Sequence, residues 1–305
     1  MKRRTIVIAG GSGFLGRNLK RFLQERGFAV SVLTRSPKEE SDVAWDARTV
    51  GDWAHVLDGS YALINMAGRS VDCRYNERNK AEILSSRIES TNVLHQAIEE
   101  YCHAPPTVWL NSSTSTIYND TRGDAAANTE ERNNIGDDFS MNVARQWEEA
   151  FFDVAMLDTF QTALRTAIVM GNDGGAFPVM HRIARFGLCS PQGPGDQWIS
   201  WLHIEDFCRA VLFLVENPIH GPVNLCSPNP ITNVEFNGLL RQYVKPLITL
   251  PQPIWLLKLG AVFLRTETEL ILKSRKVIPE RLLKAGFKFD FPVMDDLIQD
   301  LLRQA

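Results

Sequence analysis

Glycines stand at positions 10, 13 and 16, inside the run AGGSGFLG. Each can do something a bulkier residue cannot. Gly10 permits a tight turn, Gly13 lets a pyrophosphate approach the backbone, and Gly16 lets a helix pack close against a strand. The helix that starts there offers free N–H groups and a partial positive charge, which suit phosphates. Such a run could also be a bare turn, so the flanking elements decide. Thr5–Ala9 (TIVIA) is β-branched, and Phe14, Leu15, Leu19, Phe22 and Leu23 recur at helical spacing until Gly27. Residues 29–33 (AVSVL) read as the next strand. This is the strand, glycine turn, helix, strand frame that a dinucleotide site requires.

The tip of that second strand selects the cofactor. An NAD site places a carboxylate there for the ribose 2′-OH. This sequence has Thr34, Arg35 and Ser36, and its first acid is Glu39. A carboxylate about 4 Å from a 2′-phosphate would repel it by roughly 4 kcal/mol per charge pair at an effective dielectric of 20. A guanidinium attracts instead and can fork onto the phosphate. The expectation is NADP(H) rather than NAD(H); the alternative for Arg35 is a solvated surface residue.

Further elements must position these groups. Residues 43–45 read as a third strand ending at Asp46, which could hydrogen-bond an adenine amine. Residues 60–66 form a fourth, running into Ala67 and Gly68, where small side chains let a ribose pass close to the backbone. A helix over 75–100 follows, carrying Arg87 and Asn92. A fifth strand over 107–111 releases Ser112, Ser113, Thr114 and, after a turn, Tyr118. Residues 162–170 read as one further strand. In an open parallel sheet the ligand crevice lies at these C-terminal strand ends.

The fold class expected is α/β, a Rossmann-type doubly wound parallel sheet with a smaller, α-rich C-terminal substrate lobe. Residues 1–170, with 203–226 returning to them, make the cofactor domain; 171–202 and 227–305 make the lobe. Within the later chain, 206–216 and 231–244 read as helices, the second capped by Thr232 or Asn233, with 222–226 a strand between them. Helices are also expected over 261–272 and 280–285. The apolar stretch 254–264 is broken by Lys258 and too short to span a bilayer, so it reads as a buried helix. Gln197, Trp198 and Trp201 cluster with Arg182 and Arg185 in the sequence of the cleft's lip. They suit a flat or anionic substrate, or else the tryptophans anchor the lobe.

Composition narrows the partners. The 305 residues carry 33 Lys plus Arg against 36 Asp plus Glu, a net charge of -3, with no basic excess for nucleic acid. Hydrophobic residues at 44% and charged residues at 23% exclude intrinsic disorder. Five cysteines, an odd number without a CxxC pair, argue against a disulfide frame or zinc site and for a reduced, cytoplasmic compartment. No metal is expected. The apolar run near the N-terminus is shorter than a signal peptide needs, so no membrane role is expected.

AGGSGFLG, INMAG and NSSTSTIY resemble the extended short-chain dehydrogenase/reductases. RTAIVMGNDGGAF (165–177), GPGDQWISWLHIEDF (193–207) and RKVIPERLLKAGFKFDFP (275–292) are similar to an atypical epimerase-family branch, YfcH-like, with a C-terminal domain of unknown function. This resemblance implies cofactor contacts at Gly10, Ser12, Gly13, Phe14, Leu15, Thr34, Arg35, Met66, Ala67, Glu82, Arg87 and Val169. Arg87 would bind phosphates or pair with Glu82, and Val169 would form part of the nicotinamide wall. A helix-mediated homodimer is common in the superfamily.

The superfamily's proton donor is a Tyr, with a Lys four residues later to lower its pKa and a Ser or Thr to steady the carbonyl. Thr114 matches the last of these. By register against Trp147 and Glu148, Phe139 stands at the Tyr position and Val143 at the Lys position. Phe has no proton to give and Val no charge. Tyr118 is the candidate replacement donor, or else a core aromatic. Lys80 and His203 are weaker candidates, as a solvated charge and a carbonyl-bonded histidine are the ordinary readings of each. Two functions remain. One is an NADP(H)-dependent oxidoreductase or epimerase acting on a small carbonyl compound or nucleotide-linked sugar. The other is a non-catalytic NADP(H)-binding module that senses redox state.

Overall fold

Seven strands form one wholly parallel sheet: β1 (Thr5–Ala9), β2 (Ala29–Thr34), β3 (Asp42–Ala44), β4 (Ala62–Asn65), β5 (Val108–Thr114), β6 (Phe160–Thr166) and β10 (Gly221–Leu225). In space they run β10-β6-β5-β4-β1-β2-β3. The order reverses at β1, which pairs with β2 on one side and β4 on the other. That reversal opens a crevice between the two halves of the sheet. The architecture is the Rossmann-type α/β sheet expected. The computed structural model describes residues 4–132, 134–250, 252 and 273–303. The helices expected over 254–264 and 261–272 lie outside the described residues.

Both faces of the sheet are covered, so the central strands β1 (TIVIA) and β2 (AVSVLT) carry apolar residues toward both faces rather than alternating. Ile6 and Ile8 of β1 point to one face. There they meet Leu19 and Leu23 of α1 (Phe14–Glu25) and Val211 and Leu214 of α5 (Ile204–Glu216). Val7 and Ala9 point the other way. They meet Leu94 and Ile98 of α2 (Glu77–Tyr101) and Phe151 of α3 (Phe139–Phe152). Each large side chain fully buried this way contributes about 1.5–3 kcal/mol.

The expected strand over 162–170 is corrected to two. The Ala167 N–H donates to the Leu225 carbonyl at 3.0 Å, and the chain then leaves the main sheet. Residues Ile168–Met170 (β7) pair in parallel with Trp201–His203 (β9). The fifth strand also runs three residues further than expected, to Thr114. β8 (Trp198–Ile199) pairs antiparallel with β11 (Ile231–Thr232). Thr232 is the cap of α6 (Asn233–Val244), in a capping box with Glu235.

A separate apolar cluster gathers Met170, Phe177, Trp201, Phe236, Leu240, Leu297, Ile298 and Leu301. It draws together α4 (Phe177–Arg185), α6 and α8 (Met294–Arg303); α7 (Glu280–Lys284) packs on β10. Among the described residues no helix is long and apolar enough to cross a membrane. Nor do any His, Cys, Asp or Glu residues there cluster as a metal site.

Candidate cofactor and substrate crevice

Three glycines shape the floor of the crevice, each by a different constraint. Gly10 has φ +75, and a Cβ there would lie 2.7 Å from the Ala67 backbone. Gly16 comes so near the turn that a Cβ would sit 2.4 Å from Gly11 Cα. Gly13 has an ordinary φ of -79, and a Cβ on it would meet nothing within 4 Å. It therefore borders open space rather than protein. No side chain caps α1 at Gly13, so its first turn offers N–H groups to an anion.

The neighbouring residues close one flank. Ser12 is exposed, and Leu15 is half-buried. A Cβ on Gly171, Gly174 or Gly175 would come within 2.6–2.9 Å of the Phe14 ring. The loop after β7 therefore packs directly on the start of α1. Asn18 ties it down with hydrogen bonds of 3.1 and 3.0 Å to the Asp173 carboxylate. Val169 is buried in the same cluster as Phe14.

At the tip of β2, Thr34 is buried, and its hydroxyl accepts the Ser36 N–H at 3.3 Å. Arg35 is exposed. Glu39 is turned to Lys20, 2.7 Å from its Nζ. Asp46 accepts from the Thr49 and Arg48 N–H groups and the Thr49 hydroxyl. Those bonds, Thr49 first, hold its carboxyl below the usual range. Its first task is to fold that turn.

Met66 is half-buried and Ala67 buried, where β4 ends. The Ala67 N–H donates to Asn65 Oδ1 at 3.0 Å, and Asn65 Nδ2 donates to Asn111 Oδ1 at 2.7 Å. These bonds lock the ends of β4 and β5 together. Arg87 lies against Gly68, where a Cβ would meet its guanidinium carbon at 3.3 Å. It donates to the Ile83 and Arg69 carbonyls and stacks 5.1 Å over the Trp147 ring. Burial lowers its pKa to about 10, and the nearby Tyr75 phenol opposes that shift. Of the two alternatives for Arg87, the pair with Glu82 does not form. Five helical positions put two side chains about 140° apart, off any shared face. Glu82 pairs with Arg69 and with Arg78, one turn earlier.

Of the two candidate catalytic residues, Thr114 closes β5 half-buried, and its hydroxyl caps the short 3-10 turn that follows. Tyr118 is a correction. It is fully buried, and its hydroxyl donates to Asn224 at 2.8 Å while accepting from Arg165 at 2.9 Å. Burial pushes its phenol up to about 12 against the pull of Arg165. It is a core aromatic whose hydroxyl makes both of its hydrogen bonds inside the fold.

The weaker candidates resolve similarly. His203 caps α5, accepting the Glu205 N–H at 3.1 Å, and stacks on Phe291. Lys80 pairs with Glu77 at 3.1 Å. Trp201 is fully buried, an anchor rather than a substrate surface, and Gln197 is buried too. Trp198 lies under Lys276, 4.2 Å from its ring centre. Arg182 and Arg185 are exposed on α4.

This arrangement of turn, helix and strand ends has counterparts. The model of the NAD dependent epimerase/dehydratase family matches residues 6–226. The chain belongs to this family. A domain of unknown function (DUF1731) matches residues 252–301 of this epimerase-family chain. The human epimerase family protein SDR39U1 is 31% identical, over 97% of this chain and 99% of its own. The Bacillus subtilis epimerase family protein YfhF is 29% identical, over 97% of each chain. A crystal structure of human SDR39U1 (isoform 2) with NADPH superposes with a TM-score of 0.88 at 30% identity, covering 99% of this chain and 100% of that one.

Sequence reasoning missed several polar residues of this epimerase-family chain. Arg165 sits in the interior of β6, fully enclosed, and grips Glu148. A charged residue inside an otherwise apolar strand was the available signal, because such a charge needs a partner. Tyr75 was read only as a helix start. A cavity of about 580 Å³ also lies away from the crevice, lined in part by Trp198, Ile231, Leu239 and Met294.

Proposed function

We propose that this chain binds NADP(H) and acts as an oxidoreductase or epimerase-like enzyme on a small carbonyl compound or nucleotide-linked sugar. One observation carries the reading: Gly13 opens the turn onto free space, while Arg35 is exposed at the β2 tip and Glu39 is held away by Lys20. The positive end of α1 and the guanidinium together suit an adenosine bearing an extra phosphate. The NADPH in the human relative's structure points the same way. When bound, the nicotinamide would give or take a hydride.

The chain's own residues would bind and orient. Gly10, Ser12, Gly13, Phe14 and Leu15 would frame the pyrophosphate, and Thr34 and Arg35 the adenosine end. Met66 and Ala67 would pass along the ribose, with Arg87 behind Gly68. Val169 would wall the nicotinamide side, and the Thr114 hydroxyl would steady a substrate oxygen. Glu82, turned toward Arg69 and Arg78, would act at most through Arg69.

The second reading is a redox sensor without turnover. It is favoured by Phe139 and Val143 on α3, which the sequence register against Trp147 and Glu148 aligns with the superfamily's Tyr and Lys. The test is calorimetry with NADPH and NADH, followed by absorbance of NADPH over a panel of carbonyl compounds and sugar nucleotides. Preference for NADPH with consumption supports the enzyme. Tight binding without consumption across the panel supports the sensor. No heat with either cofactor overturns both.

A further inference from the structure

Phe139 opens α3, and its ring is flanked from another part of the chain. Tyr75 lies edge to face against it, ring centres 5.1 Å apart and planes at 66°. Lys80 Nζ stands 5.6 Å from the centre of the same ring. Tyr75 is half-buried in the loop that leaves β4 and enters α2 at Glu77. That loop carries Gly68, and Arg87 behind it is close enough to Tyr75 to interact electrostatically. Tyr75 and Lys80 therefore meet on the Phe139 ring, with Arg87 within electrostatic reach of Tyr75, although α3 supplies none of the three.

The other four tyrosines stand elsewhere. Tyr118 is enclosed in the core. Tyr61 precedes β4 under Arg4, at the end of the sheet away from the crevice. Tyr101 ends α2. Tyr243 is bonded to Asp295 at 2.7 Å beneath α8. Only Tyr75 borders the strand ends where the cofactor reading puts its ligand.

We propose that Tyr75 is the proton donor of the reaction, standing beside Phe139 in place of a tyrosine on α3, with Arg87 and Lys80 favouring its phenolate. The inference rests on the enzyme reading above. As a substrate carbonyl carbon gains hydride, its oxygen takes the Tyr75 O–H proton and becomes an alcohol. The resulting tyrosinate is reprotonated by water. In the reverse direction the tyrosinate accepts the alcohol proton. A cation within about 4–6 Å favours a phenolate, which an unassisted phenol, with pKa near 10, forms too rarely at neutral pH. The charged groups on the elements packed here are Arg87 and Lys80 on α2, the latter shared with Glu77, Arg74 and Arg69 in its own loop, Arg69 being shared with Glu82, and Asp138 beside Phe139 at the start of α3, paired with Lys273.

The test is a near-ultraviolet tyrosinate titration of the intact protein, run beside NADPH calorimetry. The expected result is one phenol ionising below the usual range near pH 10. That step disappears in Tyr75→Phe and moves up in Lys80→Met. On any substrate the panel reveals, Tyr75→Phe lowers kcat by about 10²- to 10⁴-fold, with NADPH affinity unchanged. The double variant Y75F/F139Y regains part of the rate. An early step that survives in Tyr75→Phe, or is missing from the parent, overturns the proposal, as does an undiminished kcat. Loss of NADPH binding by the parent would instead sink the cofactor reading beneath it.

Discussion

The Arg165 guanidinium clasps the Glu148 carboxylate with two hydrogen bonds, Nε to Oε1 at 2.8 Å and Nη2 to Oε2 at 2.7 Å. The pair joins β6 to α3 in the interior, and Ser113 of β5 adds a hydroxyl to the same carboxylate at 2.6 Å. Removing one partner leaves the other charge buried and unmatched, typically a loss of about 3–5 kcal/mol. Glu148→Ala is expected to lose that much in urea unfolding. A change under about 1 kcal/mol would mean that water reaches Arg165.

Tyr118 belongs to this same network, so its hydroxyl is structural. Tyr118→Phe leaves Asn224 Oδ1 without its donor and Arg165 Nη1 without its acceptor, at a cost of about 1–3 kcal/mol. NADPH affinity and turnover should stay within about twofold of the parent. A large fall in kcat with normal stability would restore Tyr118 as a chemical participant.

What the sequence could and could not reveal follows from range. The glycine turn, the β-branched runs and the cap at Thr232 act within a few residues, so spacing alone exposed them. Tyr118 depends on Arg165 and Asn224, which are 47 and 106 positions away. Nothing local distinguishes its burial from exposure at a crevice. The break at Ala167 is likewise set by Leu225, far along the chain. Glu82 and Arg87 failed as a pair for a local reason, helical phase. Tyr75 escaped notice because its meaning comes from Phe139 across the fold.

Two of the turn's glycines, Gly16 and Gly13, should separate folding from binding. Gly16→Ala drives a methyl into the Gly11 backbone, and overpacking of this kind costs about 1–3 kcal/mol. Gly13→Ala meets no protein atom, so its unfolding midpoint should match the parent. Its methyl would instead intrude where the pyrophosphate is proposed to lie, weakening NADPH by at least about tenfold, or 1.4 kcal/mol. Normal NADPH binding by a folded Gly13→Ala protein would place the ligand elsewhere.

Arg35→Ala examines the choice of cofactor. Losing one charge-assisted contact to a phosphate is worth about 1.5–3 kcal/mol, or roughly 10- to 150-fold in NADPH affinity. NADH has no 2′-phosphate, so its affinity should hold. The NADPH effect should also shrink at high salt, because the contact is solvent-exposed. Equal losses for both cofactors would assign Arg35 a structural role.

His95 gives the fold a built-in acid sensitivity. Its ring is buried against Trp109, with Nε2 donating to the Phe151 carbonyl at 3.1 Å and Nδ1 lacking a partner among the described residues. Burial lowers its pKa to about 4, against about 6.5 in an unfolded chain. The unfolded state therefore binds the proton first. The stabilisation is complete above pH 6.5 and is lost as pH falls from there toward 4. At pH 5 that amounts to about 2 kcal/mol. Urea unfolding at pH 7.5 and pH 5 should show this drop, and His95→Gln should lack it while being less stable at the higher pH. An identical pH dependence in the variant would mean that other groups govern the acid limb.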